Sequence, residues 1–314
     1  MEYRSISDMN QLILKNLSKI PPNIDLVVGV PRSGMLPANL ISLYLNIPFT
    51  DIDSFTEGRI YSSGERGKEL SELNIKRILI VDDSIASGNA QNKAKAKLKD
   101  IANKYDLFWG VVFATTKTKD MVDFYCEIID SQRVFQWNIF HHGILANSCF
   151  DLDGVLCEDP PIDDDGDLYI NYLKNATPLF IPTVPIGTIV TCRLEKYRDI
   201  TVEWLKKHNV KYDKLIMLPF KTKEERTKWG KHGTYKGEFI KKSNNVLFIE
   251  SSLSQAQEIN RISDIPVFCT ETFTLIDKSI SKKIALTIKQ KIKTLIGDKL
   301  LLKFRSFHKK ILFL

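Results

Sequence analysis

At 314 residues, with an ordinary 43% of hydrophobic side chains, the chain is long enough for two globular domains of normal size. Its five cysteines (Cys126, Cys149, Cys157, Cys192, Cys269) stand far apart without a CxxC pair, which argues against a zinc site or disulfide framework and for a reducing compartment. The net charge of +7 is uneven: Lys278–Leu314 holds 11 basic residues and one acidic, a charge of +10, so residues 1–277 carry −3 and a nucleic-acid-binding body is not supported.

Residues 4–20 place Ile6, Met9, Leu12, Ile13 and Leu17 on one helical face, ended by Pro21-Pro22. Ile24–Val30 predicts a first strand. It delivers the chain to the glycine-bounded loop Gly29-Val-Pro31-Arg32-Ser33-Gly34, where Gly29 and Gly34 permit close approach of an anion and Arg32 supplies charge-assisted hydrogen bonds. Asp51–Leu73 is polar and long, with Arg59, Tyr61, Ser62, Ser63, Arg66 and Lys68, a length that marks a functional or disordered segment.

The organising stretch is Arg77–Ala90. Ile78, Leu79, Ile80 and Val81 read as a strand buried in a parallel sheet. Asp82 and Asp83 follow at its C-terminal edge, and the small-residue loop Ser84–Ala90 (with Ala86, Ser87, Gly88 and Asn89) opens the helical segment Gln91–Lys104. Such a loop presents backbone N–H groups suited to a phosphate, and the paired carboxylates suit a vicinal diol. Together they describe a site for a ribose 5-phosphate.

Ile78–Ala90 resembles throughout the phosphoribosyl-pyrophosphate (PRPP) motif of the type I phosphoribosyltransferases. The resemblance implies Asp82 and Asp83 on the ribose 2- and 3-hydroxyls, and the Ser84–Ala90 backbone with the Ser87 hydroxyl on the 5-phosphate. It makes Pro31–Gly34 similar to the family's pyrophosphate loop, with a strained or cis peptide expected near Arg32-Ser33. Asp51–Leu73 falls where the family has a mobile loop that closes over PRPP, and Arg59, Tyr61, Arg66 and Lys68 become pyrophosphate candidates. Leu107–Thr115 reads as a further strand. Val134–His142 would fall in the hood that holds the acceptor, with Trp137, Asn138, His141 and His142 as candidate contacts; the two histidines serve either as a base or as packing at the domain seam. No purine or orotate signature is present, so the acceptor expected is not a standard nucleobase.

Ser148-Cys-Phe-Asp151-Leu-Asp153-Gly154 repeats the theme of an apolar strand ending in two carboxylates, here at i, i+2, able to converge on one cation. This resembles motif I of the haloacid dehalogenase-like (HAD-like) phosphatases. The resemblance implies Asp151 as nucleophile, Asp153 as general acid-base, and Mg²⁺ on Asp151, the Asp153 carbonyl and Glu250. Gly187–Thr191 matches motif II through Thr191, and Lys236 is the motif III lysine, with Lys231, Lys241 and Lys242 as alternatives. Motif IV departs from the pattern: Asn245–Ile249 ends in Glu250-Ser251-Ser252, one acidic residue where two are usual. The 36 residues between Gly154 and Thr191, and 44 between Thr191 and Lys236, leave no room for a large cap, and Asp163–Asp167 reads as an exposed loop.

In the tail, Ile280, Ile284, Ile288, Ile292 and Leu295 form one helical stripe with lysines largely opposite, and the segment after Gly297-Asp298 is basic and apolar together. It suits an anionic membrane surface, each basic side chain contributing about 1 kcal/mol there; a helical hairpin docked on the body or on a second subunit is the alternative.

The fold expected is α/β: two doubly wound parallel-sheet domains, phosphoribosyltransferase-like over 1–146 and HAD-like with little or no cap over 147–276, then the basic amphipathic tail 277–314. The resemblance covers roughly residues 20–270. It implies transfer of 5-phosphoribosyl from PRPP to a glycan carried on a polyprenyl lipid, then removal of the 5-phosphate, with Mg²⁺ in both domains, as in the transferase–phosphatase pairs of bacterial polysaccharide synthesis. The protein is expected in the cytoplasm at the inner face of the membrane, without a nucleic-acid partner and with a homodimer among the arrangements open to it. A nucleobase or orotate-type transferase with an attached nucleotidase, and a non-catalytic PRPP sensor, are the alternatives.

Overall fold

A computed structural model describes residues 1–61, 74–130, 132–161 and 166–278. The loop candidates Ser62, Ser63, Arg66 and Lys68, the acidic residues Asp163, Asp164 and Asp165, and the tail from residue 279 onward lie outside the described residues. The chain divides into two compact units, Met1–Ile139 and Phe140–Leu314.

The first unit opens with strand β1 (Glu2–Arg4) and helix α1 (Ile6–Asn16). The helix starts later than the sequence pattern predicts because residues 2–4 pair in parallel with β7 (Arg133–Phe135), and Ser5 then closes a capping box with Asp8. The main sheet is built from β2 (Leu26–Gly29), β3 (Phe49–Asp51), β4 (Arg77–Ser84), β5 (Asp106–Ala114) and β6 (Phe124–Ile128) in the order β3-β2-β4-β5-β6, all parallel. Its helices are α2 (Met35–Leu45), α3 (Ile52–Thr56) and α4 (Asn89–Leu98). Strand side chains alternate between two buried faces. Val27, Leu79 and Val112 pack with Met9 and Ile13 of α1 and Ala38 and Ile41 of α2; Leu26, Val28, Ile78 and Ile80 pack with Phe55, Ala94 and Leu98. Each fully buried aliphatic side chain contributes about 1.5–3 kcal/mol, so the apolar run at Ile78–Val81 anchors the sheet centre.

Strand order reverses between β2 and β4: from β2 the chain steps outward to β3, then returns to β2's other side. In doubly wound sheets the crevice at such a point is where ligands bind. The loop after β2 carries Pro31–Gly34, and Asp82–Ala90 runs from the end of β4 through the loop into the first turn of α4.

The second unit has β8 (Ser148–Phe150), α5 (Asp167–Asn175), β9 (Ile186–Leu194), α6 (Arg198–Lys207), β10 (Tyr212–Leu218), α7 (Lys223–Trp229), α8 (His232–Lys241), β11 (Leu247–Glu250), α9 (Leu253–Ser263), β12 (Val267–Cys269) and β13 (Thr274–Ile276). The order is β10-β9-β8-β11-β12-β13. The expectation of an all-parallel sheet needs correction here, because β13 runs antiparallel to β12. Only the four-residue turn Thr270–Phe273 joins them, far too short for the crossover that a parallel pair requires. The other five strands are parallel, with the order reversing around β8. Among the described residues no helix is long and apolar enough to cross a membrane.

Candidate functional site

In the first unit the two carboxylates at the end of β4 differ in their surroundings. Asp83 is buried and fixed on both oxygens: the Ser33 hydroxyl donates to Oδ1 at 3.0 Å, and the Trp137 indole N–H donates to Oδ2 at 2.8 Å. Asp82 accepts the Asp83 backbone N–H at 2.8 Å. Burial, reinforced by the neighbouring Asp83 charge, pushes its carboxyl up to about 8. Ser33, of the loop expected to take pyrophosphate, and Asp83, a carboxylate expected on the ribose, are therefore brought together. Gly34 makes this contact possible: a Cβ there would lie 2.5 Å from the Val30 carbonyl, 2.7 Å from the Val81 carbonyl and 2.8 Å from the Asp82 Cα. Only a glycine lets the loop pack on β4. The peptide joining Pro31 to Arg32 is cis, one bond earlier than expected, and both residues are exposed.

A cavity of about 220 Å³ is lined by Asp82, by Ser84–Gln91, by Trp109–Val111, and by Arg133. The first-turn amides of α4, left without partners inside the helix, border it, with Gly88 at the N-cap. Asn89 N–H donates to Ser87 Oγ at 3.4 Å. Asp82, Ser84, Ala86, Ser87, Gly88, Asn89 and Ala90 thus converge on one space. Arg59 instead pairs with Glu57 at 2.5 Å on the surface.

The expected acceptor residues are placed differently. Trp137 stacks on Phe135 at 4.7 Å, Phe135 stacks on Phe113 at 4.9 Å, and the indole N–H is spent on Asp83. Trp137 is a support for the carboxylate. Asn138 Oδ1 accepts the Phe135 N–H at 3.3 Å. His141 and His142 belong to the second unit; His141 Nδ1 is 3.0 Å from Thr183 Oγ1, and His142 Nδ1 accepts the Ile144 N–H at 3.1 Å. Sequence reading missed Arg133. Its guanidinium lies 5.9 Å from the Phe135 ring, its Nη1 is buried without a hydrogen-bond partner, and burial outweighs the attraction of Asp83 to lower its pKa. A lone cation opening an apolar strand was the available signal.

In the second unit the carboxylates stand at the strand ends flanking the reversal at β8. Lys236, projected inward from α8 and 2% exposed, donates to Asp151 Oδ2 at 2.6 Å, Glu250 Oε2 at 2.8 Å and Gln255 Oε1 at 3.0 Å. Of the four candidate lysines, Lys236 is the one that meets these carboxylates. Burial pushes Asp151 well up, against the pull of Lys236, while its two carboxylate neighbours push Lys236 upward despite burial. Thr191 is fully buried at the end of β9's core and accepts the Arg193 N–H at 3.2 Å.

Asp153 is held by Arg193, whose Nε donates to Oδ1 at 3.0 Å and to Oδ2 at 3.1 Å, with Nη2 on Oδ1 at 2.5 Å. The Tyr172 hydroxyl donates to the same carboxylate at 2.8 Å. Burial alone would raise Asp153, but the guanidinium outweighs it and holds the carboxyl below its usual range. Arg193 and Gln255 were not anticipated; the cation two residues past Thr191 was the readable sign of the first. Gly154 sits at φ +74°, and a Cβ there would lie 2.6 Å from Ser251 Cβ and 2.9 Å from Asp159 Oδ2, so this turn too demands glycine.

The Mg²⁺ donors expected are Asp151, the Asp153 carbonyl and Glu250. Glu250 is fully buried with Oε2 on Lys236 and Oε1 accepting the Ser251 and Ser252 amides at 3.0 and 3.2 Å. Among the described residues no three His, Cys, Asp or Glu side chains are grouped to hold a metal. Asp151 Oδ1 accepts only the Leu152 amide, and the Asp153 carbonyl only a long 3.4 Å contact from Ser251. Those two oxygens fit a hard cation that keeps most of its waters.

Residues 3–146 match the phosphoribosyl transferase domain family, and this part of the chain is a type I phosphoribosyltransferase domain, whose general activity is transfer from PRPP. Three similar solved structures are a Helicobacter pylori xanthine-guanine-hypoxanthine phosphoribosyltransferase (19% identity, TM-score 0.32, covering 44% of this chain and 92% of that one), a Pyrococcus horikoshii purine phosphoribosyltransferase (20%, 0.32, 43% and 92%) and an Aeropyrum pernix orotate phosphoribosyltransferase (19%, 0.27, 35% and 59%). No curated protein sequence matches the chain.

Proposed function

We propose that the chain transfers a 5-phosphoribosyl group from PRPP to a glycan acceptor and then removes the 5-phosphate through its second unit, a HAD-like phosphatase domain, leaving a ribofuranosyl residue. The observation that carries this reading is the pairing, in one chain, of a phosphoribosyltransferase domain with a second carboxylate site in which Asp151, Lys236 and Glu250 meet at the strand-order reversal.

In the first reaction Asp82 and Asp83 accept hydrogen bonds from the ribose hydroxyls, with Ser33 and Trp137 holding Asp83 in place. The Ser84–Ala90 amides take the 5-phosphate, and the Arg32 loop faces the leaving pyrophosphate. The C1–O bond to pyrophosphate breaks as the acceptor hydroxyl bonds to C1 and loses its proton to solvent.

In the second reaction an Asp151 oxygen attacks the phosphorus, the ribosyl O5 leaves with a proton from Asp153, and water then cleaves the aspartyl-phosphate while Asp153 takes a proton back. The Arg193 clamp favours Asp153 as carboxylate, which suits the hydrolytic half, where Asp153 takes a proton, and works against the first half, where it must give one. Lys236 and Thr191 face the transferring phosphoryl group. Mg²⁺, when bound on Asp151 and the Asp153 carbonyl, supplies charge stabilisation for that group.

The lipid-linked form of the acceptor, the inner-membrane location, a possible homodimer and the partition 1–146, 147–276 and 277–314 belong to the same reading. They are supported by the basic tail and by the chemical order of the two steps. The test is separation of activities. Asp83→Asn is expected to abolish pyrophosphate release from PRPP while phosphate release from ribose 5-phosphate persists, and Asp151→Asn the reverse. Loss of both activities in either soluble, folded variant contradicts two independent sites.

A further inference from the structure

The donor's groups each have a partner in the first unit: the diol on Asp82 and Asp83, the 5-phosphate on the Ser84–Ala90 loop, the pyrophosphate beside Arg32. Arg133 is left over. It lines the same cavity as Asp82 and the phosphate loop, its Nη1 has no hydrogen-bond partner, and Asp83 is its electrostatic neighbour without being its ligand. Ser33 and Trp137 hold Asp83, and no hydrogen bond joins it to Arg133. The flanking Gln91 donates Nε2 to the Met121 carbonyl at 2.9 Å and leaves its Oε1 unpartnered in the same wall. A guanidinium resting near the Phe135 ring, desolvated and unpaired, costs stability in the empty protein and becomes favourable once an anion arrives.

Position indicates which substrate brings that anion. Arg133 opens β7, the strand leading directly into the Val134–Asn138 segment whose Trp137 backs the diol carboxylate. Arg133 therefore enters the cavity from a segment other than the two loops assigned to the donor's phosphates, Pro31–Gly34 and Ser84–Ala90.

We infer that Arg133 is a specificity residue for the acceptor and binds an anionic group on it, a carboxylate or a phosphate, through charge-assisted hydrogen bonds. This rests on the phosphoribosyl-transfer reading and deepens it: a neutral acceptor leaves the guanidinium unpaired, and an acidic or phosphorylated one satisfies it. A lipid-linked phosphate and an acidic sugar share this chemistry.

The test uses the full chain with Mg²⁺ and calorimetric titration. PRPP is titrated first, then methyl phosphate or acetate into the PRPP-saturated protein, for wild type, Arg133→Leu and Arg133→Lys. The inference predicts that PRPP affinity stays within threefold in all three, that one of the two anions binds the PRPP complex, and that this binding falls at least tenfold in Arg133→Leu and recovers in Arg133→Lys. Stronger methyl phosphate points to a phosphate, stronger acetate to a carboxylate. A tenfold loss of PRPP affinity in folded Arg133→Leu overturns it by placing the arginine on the donor. Anion binding that is absent from wild type, or equal in Arg133→Leu, overturns it too. Failure of wild type to bind PRPP at all defeats the underlying reading instead. If Arg133→Leu does not fold, the neutral Arg133→Gln takes its place, and the same PRPP and anion affinities decide between donor and acceptor.

Discussion

Asp82 and Asp153 are both desolvated aspartates, and their neighbours drive them in opposite directions. Asp82 has only another carboxylate beside it and is raised to about 8, so the empty site holds a proton there between about pH 4 and 8. Stability from this group therefore falls as pH rises across that window. A ribose hydroxyl donates best to the ionised form, so PRPP binding expels the proton. The affinity for PRPP is expected to rise with pH up to about 8, and Asp82→Asn to flatten that component in calorimetric titrations. Asp153 has Arg193, and the sign inverts: its stabilisation is present above the ordinary carboxylate pKa and lost as pH falls through the lowered native one. Arg193 is buried and Asp153 largely so, so removing the guanidinium strands a charge. Arg193→Met is expected to cost about 3–5 kcal/mol in urea unfolding near neutral pH, with a smaller cost in acid, where Asp153 is protonated.

At the scale of elements, the functional loops are glycine-dependent because backbone meets backbone. Gly34→Ala must push the Pro31–Gly34 loop off Val81 and Asp82, since the obstructing atoms are main chain and have nowhere to go. The expected result is about 1–3 kcal/mol of destabilisation and a loss of PRPP affinity larger than that destabilisation explains, both measurable on one preparation. This is also the scale at which sequence and structure part. The strand Ile78–Val81, its carboxylates and the following loop were legible because an apolar run, two acids and small residues in that order suit a buried strand that opens through a loop into a helix. So were Asp151 at a strand end and Lys236 on a helix face; Thr191, expected to end its strand, lies inside β9, which runs on to Leu194. What periodicity hides is pairing at a distance. Residues 2–4 become a strand only because β7 exists, β13 turns back because its turn is short, and Trp137 serves Asp83 through an approach that spacing does not encode. Arg133 and Arg193 were passed over for the same reason, since a cation's meaning depends on which carboxylate folding brings beside it.

Across the whole molecule, two sheets of different strand order each place carboxylates where the order reverses, and in the proposed function the two chemistries are consecutive on one substrate: the 5-phosphate left by the first is what the second removes. The central claim is this coupling, and mass analysis of the product tests it most directly. The full chain is incubated with PRPP, Mg²⁺ and glycan or lipid extract from its own cells, beside Asp151→Asn. The account predicts an acceptor heavier by a pentose with wild type, and by a pentose plus a phosphate with the variant. A phosphate-free product from Asp151→Asn contradicts the role given to the second unit, and a ribosylated free base contradicts the glycan acceptor.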